Sequence, residues 1–242
     1  MSISLFPLKN PIEYKPGHTA TVEQVLAHIW PLLTPERKAK IEAVAARRCF
    51  SIPVVLESIY DRGNISAVMR TAEGLGFSNF HVIETGDKFK NSQRVTQGAD
   101  KWVETKKWKS TRDAVKYFKE NNIKICVTSL ESSKPLHEID FTVPTALVLG
   151  NEKDGVSKEM LEASDERVII PMPGFVQSFN ISVAGALCLY QIYQTRLHKL
   201  GKCEDVTLDQ IEILKAQYAL RTQDSAADIL DRLKSKMSEI SK

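Results

Sequence analysis

Cysteine is scarce in this chain, and none of it is paired in sequence. The 242 residues contain four cysteines, Cys49, Cys126, Cys188 and Cys203, and no C-x-x-C motif. This spacing supports neither a zinc site nor a disulfide framework. We therefore predict a protein with no bound metal that works in the reducing cytoplasm.

The chain also lacks a long uninterrupted apolar segment. Its N-terminus, MSISLFPLKNPIEYKPG, has no continuous apolar core and is a poor secretory signal. Residues 168–195 carry no charge, but prolines, Gly174 and polar side chains interrupt them. No apolar stretch reaches the roughly 18 residues that a membrane span needs. We expect no membrane partner.

A strong charge imbalance is missing too, but the charge is unevenly distributed. The formal net charge is +3, from 33 basic and 30 acidic residues. Residues 86–112 hold eight basic and three acidic side chains, with Phe89, Trp102 and Trp108 interleaved. Basic residues beside aromatic ones can follow a phosphate backbone and stack on bases. The alternative is a solvated surface strand and loop with buried tryptophans.

Between residues 51 and 201, short apolar runs alternate with helical patterns. The predicted strands are 52–57, 80–84, 123–130, 145–150 and 167–171, and the predicted helices are 64–76, 110–121, 157–163 and 180–200. This alternation predicts an α/β core, 51–201, with a mostly parallel sheet. Apolar periodicity predicts helices in short extensions at both termini, residues 1–50 and 202–242.

Three segments at strand–loop–helix junctions carry the candidate chemistry. In the first, RGNISAVMRTAEGLGF (62–77), Asn64 follows a strand and precedes a helical run. It is therefore predicted to be the N-cap of that helix. Arg70 falls about one and a half turns further on. The alternative is a capped helix with an ordinary surface arginine.

The second segment, LGNEKDGVS (149–157), is a polar loop between glycines that follows a buried strand. Open α/β sheets bind ligands at strand ends of this kind. The segment matches neither the dinucleotide fingerprint nor the P-loop. The alternative is an ordinary strand-to-helix turn, with Ser157 as the helix cap.

The third segment, IIPMPGFVQSFNISVAGAL (169–187), runs from a strand through an apolar loop into a helix capped near Ser178 or Asn180. Such a loop at a strand end suits a flat, weakly polar ligand such as adenosine. Small residues at 184–186 keep the helix thin, so another backbone can approach closely. The alternative is a core helix with a cap.

Together the three segments resemble the motifs of the SpoU (TrmH-like) branch of the SPOUT RNA 2′-O-ribose methyltransferases. GNEKDGVS and IPMPGFVQSFNISVAGAL are the most specific parts, and the resemblance covers about residues 51–200. GADKWVE (98–104) and ID-x-T-x-PTALVLG look most similar to the TrmH-type enzymes. The resemblance implies a Rossmann-like sheet with a C-terminal deep trefoil knot that binds S-adenosyl-L-methionine.

The resemblance also implies roles for individual residues. Catalytic positions fall on Arg70, Asn64, Glu152, Ser178 and Asn180. Cofactor-binding positions fall on Thr128, Leu149, Gly150, Ile170, Met172 and Phe179, the last in place of the family's usual leucine. From the basic segment we expect RNA contacts by Lys101, Lys106, Lys107, Lys109 and Arg112.

The expected activity is therefore that of a tRNA (guanosine-18-2′-O)-methyltransferase acting as a homodimer. One alternative is a 2′-O-methyltransferase for ribosomal RNA or for the wobble nucleotide of tRNA. A second, of a different class, is a non-catalytic knotted RNA-binding protein. The presence of all five catalytic positions argues against that reading. Because only about 50 residues precede the core, we expect no separate RNA-recognition domain.

Overall fold

A computed structural model describes residues 5–84, 98–130 and 133–240, with side chains up to residue 235. The chain divides into two compact units. The first comprises Leu5 and Cys49–Asp205, and the second comprises Phe6–Arg48 together with the described chain from Val206 onward.

The described elements alternate between strand and helix through the first unit. The strands are β1 (Ile12–Lys15), β2 (His18–Ala20), β3 (Val54–Glu57), β4 (Asn79–Ile83), β5 (Glu104–Trp108), β6 (Lys124–Thr128), β7 (Lys134–Pro135), β8 (Thr145–Leu149) and β9 (Glu166–Ile169). The helices are α1 (Val22–His28), α2 (Pro35–Ala45), α3 (Arg62–Gly74), α4 (Thr111–Glu120), α5 (Lys158–Ala163), α6 (Ile181–Leu200), α7 (Leu208–Thr222) and α8 (Ala226–Ile240). Single 3₁₀ turns lie at Trp30–Leu32, Ala99–Lys101 and Leu136–Glu138.

The first unit is built on a seven-stranded sheet in the order β5-β4-β3-β8-β6-β9-β7. Every pairing in it is parallel. Strands β3, β4 and β8 are buried along their whole length, as expected for parallel strands covered on both faces. The predicted α/β class and parallel sheet are confirmed. The trefoil knot stays a prediction, because strand order does not define how the chain threads.

Helices cover both faces of this sheet. Val54 and Leu56 of β3 join the core that contains α3 and α6 residues, whereas Val55 joins the core that contains α4 and α5 residues. This division follows from the alternation of side chains along a strand. The thin part of α6 packs within the chain, since a Cβ at Gly185 would lie 3.1 Å from side-chain atoms of both Val68 and Leu149.

The second unit contains helices from both ends of the chain. Helix α7 packs against α1 and α2. Arg48 Nε donates to the Tyr218 hydroxyl at 3.0 Å, and Tyr14 donates to Asp231 at 2.8 Å. The sequence treats the two extensions as separate segments, but the structure joins them in one unit. Among the described helices, none has the length and apolar character needed to cross a membrane.

Candidate active site

The carboxyl ends of four neighbouring strands, β3, β8, β6 and β9, meet at one edge of the sheet. Three predicted cofactor positions lie there: Thr128 ends β6, Gly150 follows β8, and Ile170 follows β9. The Thr128 hydroxyl donates to the Val148 carbonyl at 3.3 Å, which ties β6 to β8. Parallel strands thus bring together residues that are more than 40 positions apart in sequence.

The helix of the first motif begins earlier than predicted. Asp61 is the N-cap of α3, and its carboxylate accepts a hydrogen bond from Gly63 N at 2.7 Å. The prediction that Asn64 caps this helix is therefore wrong. Asn64 lies inside the first turn of α3. Because the Asp61 carboxylate accepts the hydrogen bond from a backbone N–H of that turn, the buried side chain of Asn64 can bond to other loops.

The side chain of Asn64 joins all three motifs. Its Nδ2 donates to Glu152 Oε1 at 2.6 Å, and its Oδ1 accepts from Asn180 Nδ2 at 3.3 Å. Of the two predicted caps of α6, Ser178 and Asn180, the structure has Asn180, whose Oδ1 accepts a hydrogen bond from Ser182 N at 2.8 Å. The bond to ionised Glu152 is of the charge-assisted type. Three of the five predicted catalytic residues therefore form one hydrogen-bonded cluster.

The loop of the second motif is closed by its own backbone. Asn151 and Gly155 exchange two backbone hydrogen bonds, 2.9 and 3.1 Å long. Gly155 has φ +70°, in the left-handed region. A Cβ at Gly150 would lie 2.0 Å from the carbonyl carbon of Gly155. Only glycine at position 150 allows the two sides of this loop to approach so closely.

The loop of the third motif is apolar and irregular. Residues 169–180 include no ionisable side chain. Ile170 and Met172 are half-buried, and Phe179 and Ser178 are exposed. An apolar loop without ionisable side chains at a strand end suits a neutral nucleoside. The residues present at these strand ends therefore fit the adenosine part of S-adenosylmethionine.

Arg70 lies on a different face of α3 from Asn64. Six residues separate them, which corresponds to about 120° around the axis and about 9 Å along it. Arg70 is exposed whereas Asn64 is buried. The structure thus places the arginine at the protein surface, on another face of the helix from the Glu152–Asn64–Asn180 cluster.

Comparison with known proteins identifies the family of this site. The family model described as the SpoU rRNA methylase family matches residues 51–190, which include all three motifs. The chain belongs to the SpoU methylase family. The tRNA (guanosine(18)-2′-O)-methyltransferase of Escherichia coli K12 is 36% identical to it over 165 residues, 68% of this chain and 72% of the relative.

Two solved structures resemble this SpoU methylase. The Aquifex aeolicus TrmH/SpoU tRNA modifying enzyme has a TM-score of 0.69 and 31% identity, and the match covers 76% of this chain and 95% of that one. The SpoU methyltransferase AviRb from Streptomyces viridochromogenes, in complex with AdoMet, has a TM-score of 0.55 and 25% identity. That match covers 60% of this chain and 58% of AviRb.

The predicted RNA-binding residues of this SpoU methylase do not share one surface. Lys106 and Lys107 are adjacent on β5, so their side chains leave opposite faces of the sheet. Lys106 Nζ lies 4.2 Å from the ring centroid of Trp108 and 3.8 Å from that of Tyr117. Desolvation lowers the pKa of Lys106. This ammonium group is therefore already engaged in cation–π contacts.

The other predicted RNA-binding residues are exposed, as Lys106 is. Lys101 lies 5.5 Å from the ring centroid of Trp102, and Arg112 Nε lies 3.3 Å from Glu159. Lys109 is exposed just before α4. The remaining basic residues of the segment, Lys88, Lys90 and Arg94, and the aromatic Phe89 lie outside the described residues.

Sequence reasoning missed two carboxylates of the site. Asp61 caps α3, and Glu57 ends the otherwise apolar strand β3. The sequence does contain a signal for Glu57, since a charged residue at the end of an apolar run indicates a buried carboxylate. Such a carboxylate is buried only where hydrogen-bond donors meet it.

Proposed function

We propose that this SpoU methylase transfers a methyl group from S-adenosylmethionine to the 2′-oxygen of guanosine 18 in tRNA, in the cytoplasm. The observation that carries the proposal is the cluster of Glu152, Asn64 and Asn180, which unites the three motifs at the carboxyl edge of the sheet. The name of the Escherichia coli relative supports the choice of nucleotide.

The cofactor site consists of strand ends and loops. Thr128, Leu149 and Gly150 come from β6 and β8, whereas Ile170, Met172 and Phe179 come from the loop after β9. These residues would hold the adenosine through backbone groups between apolar side chains. When bound, S-adenosylmethionine supplies a methyl group on a sulfonium, whose thioether is a good leaving group.

The protein has two tasks in this reaction: it aligns the ribose oxygen with the methyl carbon, and it stabilises the charge that develops on that oxygen. Alignment alone can supply several kcal/mol. Arg70 would hold a neighbouring phosphate and stabilise the forming alkoxide, since a guanidinium offers hydrogen-bond donors but no acceptor and is a poor base. The hydroxyl proton would pass to a phosphate oxygen or to water as the ribose oxygen accepts the methyl group that the cofactor would supply.

The cluster around Asn64 would hold the loops that surround the methyl group. Glu152 fixes the loop of the second motif through Asn64, and Asn180 fixes the start of α6. Ser178 lies in the exposed loop two residues before that cap, where it can meet the ribose.

Exposed basic residues would bind the tRNA backbone. Lys101, Lys107, Lys109 and Arg112 are all exposed, and the ion pair of Arg112 with Glu159 lies at the surface. Surface ion pairs are worth about 0–1 kcal/mol, so a phosphate can replace Glu159 at little cost. Lys106 would have to leave two aromatic rings first.

A homodimer is part of the proposal. Val183, Leu187 and Tyr190 lie at i, i+4 and i+7 on α6, with 46%, 42% and 56% of their surface exposed. An apolar stripe at this spacing is typical of a face that packs against another element. The intramolecular packing of Gly185 leaves the stripe outside the core. Light scattering at micromolar concentration should give a dimer, and a monomer would contradict this part.

The decisive experiment uses tritium-labelled S-adenosylmethionine and two matched tRNA transcripts. One carries guanosine at position 18, and the other carries 2′-deoxyguanosine there and lacks the acceptor oxygen. Label in the first transcript alone is the expected result. Label in ribosomal RNA or at the wobble nucleotide would favour the alternative substrates. Cofactor binding without transfer to any RNA would favour a non-catalytic RNA-binding protein.

A further inference from the structure

A buried carboxylate outside the three motifs holds the end of the 150–156 loop. Glu57 is only 1% exposed and is the last residue of β3. Its Oε1 accepts from the hydroxyls of Thr111 and Ser157, at 2.6 and 2.7 Å, and its Oε2 accepts from Ser157 N at 2.8 Å. These three donors offset the cost of removing a carboxylate from water.

Two of the three donors belong to Ser157, the residue at which the loop ends. The Ser157 hydroxyl also accepts a hydrogen bond from Met160 N at 3.1 Å, as the N-cap of α5. Because that oxygen accepts from the helix, its own hydrogen is free to point at Glu57. The carboxylate thus fixes both the backbone and the side chain where the loop enters the helix.

The same loop is held at two other places. The backbone pair of Asn151 and Gly155 closes its base, and Glu152 reaches Asn64 from its tip. Glu57 adds the third anchor from the adjacent strand, because β3 pairs with β8 up to Leu56 and Leu149, one residue before Glu57 and Gly150.

We propose that Glu57 is a positioning residue for methyl transfer. Its carboxylate fixes the 150–156 loop in the conformation that presents Gly150 to S-adenosylmethionine and Glu152 to Asn64. The inference rests on the proposed function, because it assigns this loop to the cofactor and the methyl-transfer site.

The test compares two variants that remove hydrogen bonds from the same carboxylate. Glu57→Gln keeps the size of the side chain but removes its charge and replaces one of its two acceptor oxygens with an N–H₂ donor. We expect the Kd for S-adenosylmethionine to rise about tenfold, as for the loss of a hydrogen bond to a charged group. The KM for tRNA should stay within about twofold. Thr111→Ala, the matched control, removes only the contact to α4 and should leave the cofactor Kd unchanged.

A purely structural role predicts a different result. Both variants would then lower the midpoint of thermal unfolding, while the cofactor Kd and the kcat per active site stayed at wild-type values. That outcome, or an equal effect of the two variants on cofactor affinity, would overturn the inference.

A milder substitution covers the case in which Glu57→Gln fails to fold. Ser157→Ala removes the hydroxyl that donates to Glu57 from an otherwise exposed residue, and it should weaken cofactor binding in the same direction. If Glu57→Gln folds, the double variant Glu57→Gln/Ser157→Ala should bind the cofactor no more weakly than Glu57→Gln alone. The reason is that both substitutions affect the same contact, between Glu57 and Ser157. Additive losses would count against the shared role. A wild-type protein that binds no S-adenosylmethionine would refute the proposed function itself, whereas normal binding by both variants would refute only the role of Glu57.

Discussion

Substitution of Gly150 by alanine should open the 150–156 loop. The added Cβ would lie 2.0 Å from the carbonyl carbon of Gly155 and 2.1 Å from Val156 N. Both atoms are backbone atoms, so no side-chain rotation relieves the overlap. Carbon atoms pack at about 3.5–4.0 Å, so the two sides of the loop must separate by about 1.5 Å.

That separation would break the two backbone hydrogen bonds between Asn151 and Gly155. At about 1 kcal/mol each, their loss disfavours the closed loop by about 2 kcal/mol. If S-adenosylmethionine binds only the closed loop, its apparent Kd rises about 30-fold, because affinity falls with the population of the competent state.

Isothermal calorimetry with S-adenosylmethionine measures this effect against two other glycines. Gly155→Ala meets no atom within 4 Å but must adopt φ +70°, so only the strain of about 1–2 kcal/mol should appear. Gly74→Ala, at the end of α3, also meets nothing within 4 Å and should bind normally. Binding by the Gly150 variant within twofold of wild type would refute the close-approach argument.

Three further predictions concern the reaction and the stability of the fold. Arg70→Ala should lower methyl transfer to a tRNA transcript at least about 100-fold with an unchanged cofactor Kd, and full activity would remove Arg70 from the mechanism. Arg196→Ala should lower the free energy of unfolding by about 3 kcal/mol in urea titrations. The reason is that Arg196 is buried beside Asp205 and donates hydrogen bonds to two backbone carbonyls. A loss under about 1 kcal/mol would contradict this. Burial lowers the pKa of His81 to about 3 in the folded protein. At pH values between this pKa and that of an unfolded histidine, about 6.5, only the unfolded chain binds a proton at His81. The free energy of unfolding should therefore fall by about 2 kcal/mol between pH 7 and pH 5. His81→Gln should remove most of this pH dependence, whereas His18→Gln, which changes a half-exposed side chain, should not.

The tautomer of His81 explains why its neutral form is favoured. Trp108 Nε1 donates to His81 Nδ1 at 2.9 Å, so Nδ1 is an acceptor and the proton lies on Nε2. Nε2 then donates to Asn79 Oδ1 at 2.8 Å. A second proton on Nδ1 would face the indole N–H, which adds to the cost of charging a buried ring.

Strands with continuous apolar sequence were predictable, and strands without it were not. ALVLG predicted β8, which is buried throughout, because a strand covered on both faces needs apolar residues at every position. The edge strand β5, ETKKW, carries no such run, and the sequence indicates a surface strand there only as the alternative to an RNA-binding segment. This segment is a strand because it pairs with β4 at the edge of the sheet, and the local sequence of β5 does not indicate that pairing.

The functional cluster was predictable as a set of residues but not as a set of contacts. The motifs named Asn64, Glu152 and Asn180, yet local rules assigned Asn64 to a helix cap. Asp61, three residues earlier, satisfies that rule instead. The role of Asn64 depends on Glu152, 88 positions away, and such a contact exists only after the strands have paired.

The basic segment shows the limit of counting charge along a sequence. A sum over residues 86–112 assumes that neighbouring side chains act on one surface, whereas a strand sends alternate side chains to opposite faces. Lys106 lies over two aromatic rings, and Lys107 leaves the other face. A phosphate can draw Arg112 from an exposed carboxylate at little cost, but it must compete with two aromatic rings for the Lys106 ammonium group. Among the described residues of this segment, we therefore expect Arg112 to bind a phosphate more readily than Lys106.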